Sequence, residues 1–259
     1  MPNKHGDFAW YELTTDDAGA ARDFYSALTG WTWEESEGQP GMPYHLFSAD
    51  GIQVGGMIVL TEEMKANGAQ PGWMGYIGVD DIAKAVGGIS TAGGSIHIPP
   101  TDIPGIGQFS MVTDPAGAFF YIMQDMSGEE SHSFAKTEPK VGHCAWNELM
   151  TSDPEGALAF YTDQFGWTKA SEMDMGPMGT YHLLDHGYGL GGIMQKPDEL
   201  PISAWTFYFR VPDVDKAVET IKAKGGQTMM DPMEIPGGDF TLGGVDPQGA
   251  HFSIIGART

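Results

Sequence analysis

GHCAWNELMTSDPEGALAFYTDQFGWTK, residues 142–169, has a near copy in the same chain of 259 residues: GDFAWYELTTDDAGAARDFYSALTGWTW, residues 6–33. The matched positions include Gly6/Gly142, Ala9/Ala145, Trp10/Trp146, Glu12/Glu148, Phe24/Phe160, Tyr25/Tyr161 and Trp31/Trp167. The repetition runs on. YHLFSADGIQVGGM (44–57) matches YHLLDHGYGLGGIM (181–194), and WMGYIGVDDIAKA (73–85) matches WTFYFRVPDVDKA (205–217). DIPGIGQFSMVTDPAGAFFYI (102–122) matches EIPGGDFTLGGVDPQGAHFSI (234–254). Self-similarity at half the chain length implies two domains of one kind, expected at 1–128 and 140–259. Between them, 129–139 lies in a polar, charged stretch with no apolar period and reads as a linker.

Composition narrows the function. The formal net charge is −22, with only 13 Lys and Arg spread along the chain. A nucleic-acid binder needs clustered cations to neutralise phosphates, so that class is excluded. One cysteine, Cys144, permits no intrachain disulfide. No stretch reads as a signal peptide or a membrane span. The expectation is a cytoplasmic protein, monomer or homodimer, with no membrane partner.

Each half divides again. FAWYELTT alternates as a strand does. Asp16 or Asp17 caps a helix carrying Ala21, Phe24, Tyr25 and Leu28 at helical spacing, and Gly30 ends it. Short strands follow at 31–35, 44–49 and 53–59. The next quarter repeats the order: MGYIGV, a helix capped by Asp81, then strands near 95–98, 108–113 and 119–123. Every quarter reads β-α-β-β-β, so the fold class is α+β.

Four such units, with AW-x-EL-x-T-x-D, FY-x4-GW, IPG-x-G and DP-x-GA-x-F, resemble the vicinal oxygen chelate superfamily of glyoxalase I, extradiol dioxygenases and bleomycin-resistance proteins. The resemblance covers nearly the whole chain. It implies two tandem domains, each a pair of units forming a curved, incomplete barrel with the helices on its convex face and a ligand on its concave face.

Strand alternation sorts the residues once the family position is mapped. The resemblance places the first-strand ligand position at Trp146, so Trp146 and Glu148 point inward, as do Trp10 and Glu12. Tyr208 and Arg210 follow on a second strand, then His251, Ser253 and Ile255; the other half offers Tyr76 and Tyr121. His45 and His182 follow a Tyr in both halves, and their facing is left open. The positions that bear metal ligands in metal-binding members map to Trp10, Met74 and Tyr121, and to Trp146, Thr206 and Ser253. These are poor ligands for a divalent ion, so no cofactor is expected. The runner-up is a divalent metal gathered through Glu148, His182 and His251. No nucleophile constellation emerges, and catalytic residues are unassigned. Asp114 and Asp246, in the DPxG turns, read as turn formers, and Gly55, Gly56, Gly191 and Gly192 as strand kinks.

The expected function is the binding of a small, partly aromatic or conjugated molecule, as in the bleomycin-resistance branch. The alternative is a metal-assisted lyase, isomerase or oxygenase. A third option is a cavity filled by its own side chains. Arg210 needs an acceptor; Glu148 is the expected one, and Glu12 the alternative if strands are exchanged between the halves.

Overall fold

The computed structural model describes residues 3–39 and 42–258. The first quarter is β1 (Phe8–Thr15), α1 (Ala18–Thr29), β2 (Thr32–Gln39), β3 (Met42–Ala49) and β4 (Ile52–Val59). After a short α2 (Glu62–Ala66) come β5 (Gly72–Gly78), α3 (Ile82–Thr91), β6 (Ser95–Ile103), β7 (Gly107–Thr113) and β8 (Phe119–Asp125). The third quarter is β9 (Cys144–Thr151), α4 (Pro154–Phe165), β10 (Thr168–Asp174), β11 (Thr180–Asp185) and β12 (Gly189–Gln195). The last is β13 (Ala204–Val211), α5 (Val214–Ala223), β14 (Gln227–Thr228), β15 (Met233–Glu234), β16 (Phe240–Val245) and β17 (His251–Gly256). The strands make two mixed sheets, as an α+β fold requires. In each quarter the strand before the helix pairs in parallel with the last strand, and the later strands are antiparallel. The helix α2 was not anticipated; Thr61 caps it, accepting from Met64 N.

The helices start where carboxylates can meet orphan N–H groups. Asp17, Asp81, Asp153 and Asp213 each accept from the first turn, at 2.9–3.1 Å. Gly30 and Gly166 end α1 and α4 at φ 81° and 71°, a conformation a side chain resists. Replacing Asp17 by alanine is expected to cost about 1 kcal/mol. Urea denaturation checks this; an unchanged midpoint would show that the cap adds nothing.

The chain packs as two compact units. One, the outer unit, joins Trp10–Trp73, His132–Ala145 and Phe207–Thr259. The other, the middle unit, joins Met1–Ala9, Met74–Ser131 and Trp146–Thr206. Their strands run in the orders β2-β3-β4-β1 and β13-β17-β16-β14 in the outer unit, and β5-β8-β7-β6 and β10-β11-β12-β9 in the middle one.

Each unit is centred on one buried tyrosine of a helix. In the outer unit Tyr25 lies edge-on to Trp73 and Phe252. Its hydroxyl accepts from Trp73 Nε1 and donates to Asp246 Oδ2, both at 3.0 Å. In the middle unit Tyr161 stacks on Trp167 and lies edge-on to Trp205. Its hydroxyl accepts from Trp205 Nε1 at 3.0 Å and donates to Asp114 Oδ2 at 3.2 Å. The other carboxylate oxygen of each Asp closes the DPxG turn: Asp246 Oδ1 accepts from Gln248 N and Ala250 N, and Asp114 Oδ1 from Ala116 N and Ala118 N. The two aspartates are therefore turn formers, as read from the sequence, and also the far ends of Trp–Tyr–Asp chains. Burial raises both tyrosine pKa values well above 10, and the facing aspartate adds to the rise. Burial also raises Asp114 and Asp246 above the ordinary carboxylate value.

The two GW motifs are used alike. Trp31 Nε1 donates to Gly142 O at 2.7 Å, and Trp167 Nε1 to Gly6 O at 2.8 Å. The expected linker is not bare. Ser133 and Phe134 are buried, and the segment bridges to Cys144 through Ala135 N and Ser133 O. Cys144 is core, 1 % exposed.

Candidate functional site

The helices cover one face of each set of strands and leave the other for polar and aromatic groups. On β9, Asn147 and Leu149 are fully buried on the helix side, and Trp146 and Glu148 alternate to the opposite face. Trp10 and Glu12 take the same places on β1, where Tyr11 and Leu13 fill the helix side. On β13, Phe207 and Phe209 join the core and Tyr208 and Arg210 face away from it. Tyr76 and Tyr121 lie on the helix-free face of the middle unit, stacked at 4.3 Å.

Within the middle unit two of these groups join Tyr181 of β11 in a hydrogen-bonded chain. Trp146 Nε1 donates to Tyr181 Oη at 2.7 Å, and Tyr181 Oη donates to Glu148 Oε2 at 2.9 Å. Glu148 is 7 % exposed, so its carboxylate is held by directed bonds rather than by bulk water. The outer unit repeats the first step: Trp10 Nε1 donates to Tyr44 Oη at 2.8 Å. The paired glycines explain how the tyrosine rings fit. Gly192 sits directly opposite Glu148 across the β12–β9 ladder. A Cβ on Gly192 would stand 2.1 Å from Tyr181 Cε1, and one on Gly56 2.2 Å from Tyr44 Oη. Gly55 and Gly191 make room for Phe47 and for the Asn147 carbonyl respectively. These glycines are clearances for aromatic rings and close backbone more than kinks.

Tyr44 and Tyr181 were not among the residues expected at the site. The signal was present, since both precede the His of a repeated YHL, but the eye goes to the imidazole. His182 in fact turns the other way. Its side chain is 2 % exposed and its Nε2 lies 3.2 Å from Glu155 Oε1 on α4. It therefore sits on the helix side while Glu148 faces away, and the two do not converge. His45 follows Tyr44 on β3 and by alternation turns from the Trp10 face. His251 opens β17 and is exposed, although Ser253 on the same face is buried.

Arg210 is paired with Asp239. Its two terminal nitrogens donate to Asp239 Oδ2 at 2.8 and 2.5 Å. The expected acceptor was Glu148; the local one comes from the turn before β16, which the sequence pattern did not connect to β13. The guanidinium fastens this turn to the helix-free face.

The positions that would hold a divalent metal carry the indoles of Trp10 and Trp146, the thioether of Met74 and the hydroxyls of Tyr121, Thr206 and Ser253. An indole N–H is a donor and cannot ligate, and the Trp146 one is already engaged. This donor set does not fit a divalent metal. Among the described residues no group of three or more His, Cys, Asp or Glu is disposed to hold one.

A doubled β-α-β-β-β chain with an aromatic, helix-free sheet face is the architecture of one large class of small-molecule proteins. The chain belongs to the Glyoxalase/Bleomycin resistance protein/Dioxygenase superfamily, whose profile matches residues 7–122 and 140–253. It is 34% identical to "Putative glyoxylase CFP32" of Mycobacterium tuberculosis, over 97% of this chain and 95% of that protein. It is 29% identical to "Anthracycline biosynthesis protein DnrV" of Streptomyces peucetius, over 96% of this chain and 93% of that one. In fold it resembles the Mn(II)-bound glyoxalase from Novosphingobium aromaticivorans (TM-score 0.66, 16% identity, 98% of this chain and 82% of that chain). It resembles equally the 2,2',3-trihydroxybiphenyl 1,2-dioxygenase from Sphingomonas wittichii strain RW1 (TM-score 0.66, 15% identity, 98% and 90% of the two chains).

Proposed function

We propose that this chain binds a small, partly aromatic or conjugated molecule on the helix-free faces of its sheets, without a metal. The observation that carries the reading is the chain Trp146–Tyr181–Glu148. Trp146 stands at the strand position that the family resemblance maps to a metal ligand, and the three side chains offer what a metal-free site needs instead. Trp146 and Tyr181 supply flat apolar surface, and Glu148 supplies a fixed acceptor for a ligand hydroxyl. Trp10, Tyr44 and Glu12 offer a second surface of similar kind in the outer unit. The relative named for anthracycline biosynthesis supports a conjugated ligand.

Two measurements test this. Metal analysis of protein purified without an affinity tag and dialysed is expected to find no stoichiometric metal. An equivalent of Mn, Fe, Ni or Zn that is lost on Glu148→Ala would replace the proposal with the metal-assisted lyase, isomerase or oxygenase reading. Calorimetric titration with a hydroxylated anthraquinone is expected to show binding that Trp146→Ala weakens about tenfold or more. Equal affinity in wild type and variant would remove this face as the site.

A further inference from the structure

The last quarter departs from the second in how its edge is built. In the second quarter the strand after the helix is continuous, the nine residues of β6. In the last quarter the same stretch is broken into β14 and β15, two residues each, with 229–232 outside any strand. Met229, Met230 and Met233 of this stretch are 60, 52 and 48 % exposed. An edge with few ladder bonds opens more readily than a continuous strand, and methionine adapts its shape to what it meets.

Register shows what shares the helix-free face with this edge, since residues directly opposite across a ladder point the same way. Arg210 is opposite Ile255, Ile255 opposite Thr241, and Thr241 opposite Met233. One row over, Tyr208 is opposite Ser253 and Ser253 opposite Gly243. Gly243 puts no side chain on the face. A Cβ there would lie 3.8 Å from both Met229 Sδ and Ser253 Oγ, so the spot is open rather than filled. The two rows are two strand steps apart, about 7 Å. An open patch between Tyr208 and Met229 thus lies one row from a guanidinium.

Arg210 is held in a way that another carboxylate can replace. Both of its terminal nitrogens donate to a single oxygen, Asp239 Oδ2, whereas a guanidinium fork matches a carboxylate through two oxygens. The Asp239 side chain is 28 % exposed and follows Gly237 and Gly238, at φ 107° and 87°. Its carboxylate can therefore turn to water without being stranded, and a partly exposed pair is a weak fastening. The pair also belongs to one copy alone. Gly78 stands at the place of Arg210 in the other copy, and Gly107 at the place of Asp239. A Cβ on Gly107 would stand 2.1 Å from Gln124 O, so an aspartate has no room there. Both charges are present in the last quarter, and both are missing from the second.

We infer that the helix-free face of β13, β17 and β16 in the outer unit binds a small aromatic carboxylate. The carboxylate takes the terminal nitrogens of Arg210 in place of Asp239, the turn before β16 moves aside, and the rings lie over Gly243 between Tyr208 and Met229. The inference rests on the proposed function only in taking the helix-free side as the ligand side. It adds the charge of the ligand and the residue that selects it.

The probe is 2-naphthoate, with 2-naphthamide as its neutral counterpart, titrated calorimetrically into the full chain. Naphthoate is expected to bind at least about tenfold more tightly than the amide, and Arg210→Gln to remove that preference. Asp239→Asn carries the decision, because it alters a partly exposed turn and leaves the guanidinium in place. With Asp239 as the competitor, this variant binds naphthoate several-fold more tightly than wild type. An affinity unchanged or lowered in Asp239→Asn would mean that the pair only braces the turn, and would overturn the inference. So would the absence of saturable naphthoate binding, or equal binding of the amide. Spectra of the chain with ¹³C-methyl methionine locate the site. A naphthoate-induced shift of the Met229 signal, assigned through Met229→Leu, supports it, and shifts confined to methionines of the middle unit overturn it. The anthraquinone titration with Trp146→Ala and the metal analysis read the middle unit, so a failure there and a failure here are told apart.

Discussion

Gly191→Ala is expected to lower stability by about 3 kcal/mol or more, the upper range of overpacking effects. The new Cβ would stand 1.9 Å from the carbonyl oxygen of Asn147. That atom is backbone of the adjacent strand β9, paired with Gly191 itself, so it cannot swing aside. Relief requires the β9–β12 ladder to part, and Asn147 also bonds across it, donating from Nδ2 to Leu190 O. Gly192→Ala is a different experiment. There the obstacle is the ring of Tyr181, which can rotate away at the cost of its bonds to Trp146 and Glu148. The first variant should fail by chemical denaturation. The second should fold with a smaller loss and a changed tryptophan emission. A Gly191→Ala protein as stable as wild type would show that the strands are spaced more loosely than described.

Tyr161→Phe is expected to cost about 2–4 kcal/mol. Removing one hydroxyl strands two buried groups, Trp205 Nε1 and Asp114 Oδ2, each worth about 1–3 kcal/mol when left unpaired. The loss should also depend on pH. Burial, the largest influence, raises the Asp114 pKa, and the bond from Tyr161 works against that rise. In the window between the unfolded carboxylate value and the raised folded one, the native state binds more protons than the unfolded chain. Wild-type stability therefore falls across that window as pH rises, and the full cost of ionisation is present above it. Without the tyrosine hydroxyl the window extends upward. The deficit of Tyr161→Phe should be smallest in acid, where Asp114 is protonated, and grow toward neutrality. Urea midpoints across that range decide it; a deficit independent of pH would mean that the hydroxyl does not stabilise the ionised carboxylate.

The fold was legible because it is written as a pattern repeated four times. Alternation set Trp146, Glu148, Tyr208 and Arg210 apart from the core-facing residues of their strands, since a strand leaves only two choices. What stayed hidden depends on which segments meet. The aspartate partners of Tyr25 and Tyr161 lie in turns of the opposite half, and nothing local marks a DPxG aspartate as more than a turn former. The acceptor for Arg210 is 29 residues away in a Gly-rich turn. His182 drew attention as a site residue, yet strand parity sends it the opposite way from Tyr181, whose hydroxyl bonds Trp146 and Glu148. Gly192 reads as a strand kink in the sequence; in the structure it clears space for the ring of Tyr181, which reaches Glu148.

The tyrosine–aspartate pairs also bear on how the chain comes to be folded during synthesis. In the middle unit Tyr161 meets an aspartate 47 residues away, already made when the tyrosine emerges. In the outer unit Tyr25 must await Asp246, 221 residues downstream. Bringing such distant segments together costs roughly 1 kcal/mol more in loop entropy than the shorter closure, and it slows folding. The first quarter thus leaves the ribosome with its central tyrosine unmatched and Phe24, Trp31 and Trp73 short of the ring of Phe252 or Phe209 that covers each. A translation pause or truncation late in the message would strand that aromatic cluster uncovered, which makes the final turn, rather than the first strand, the point at which the nascent chain becomes safe from aggregation.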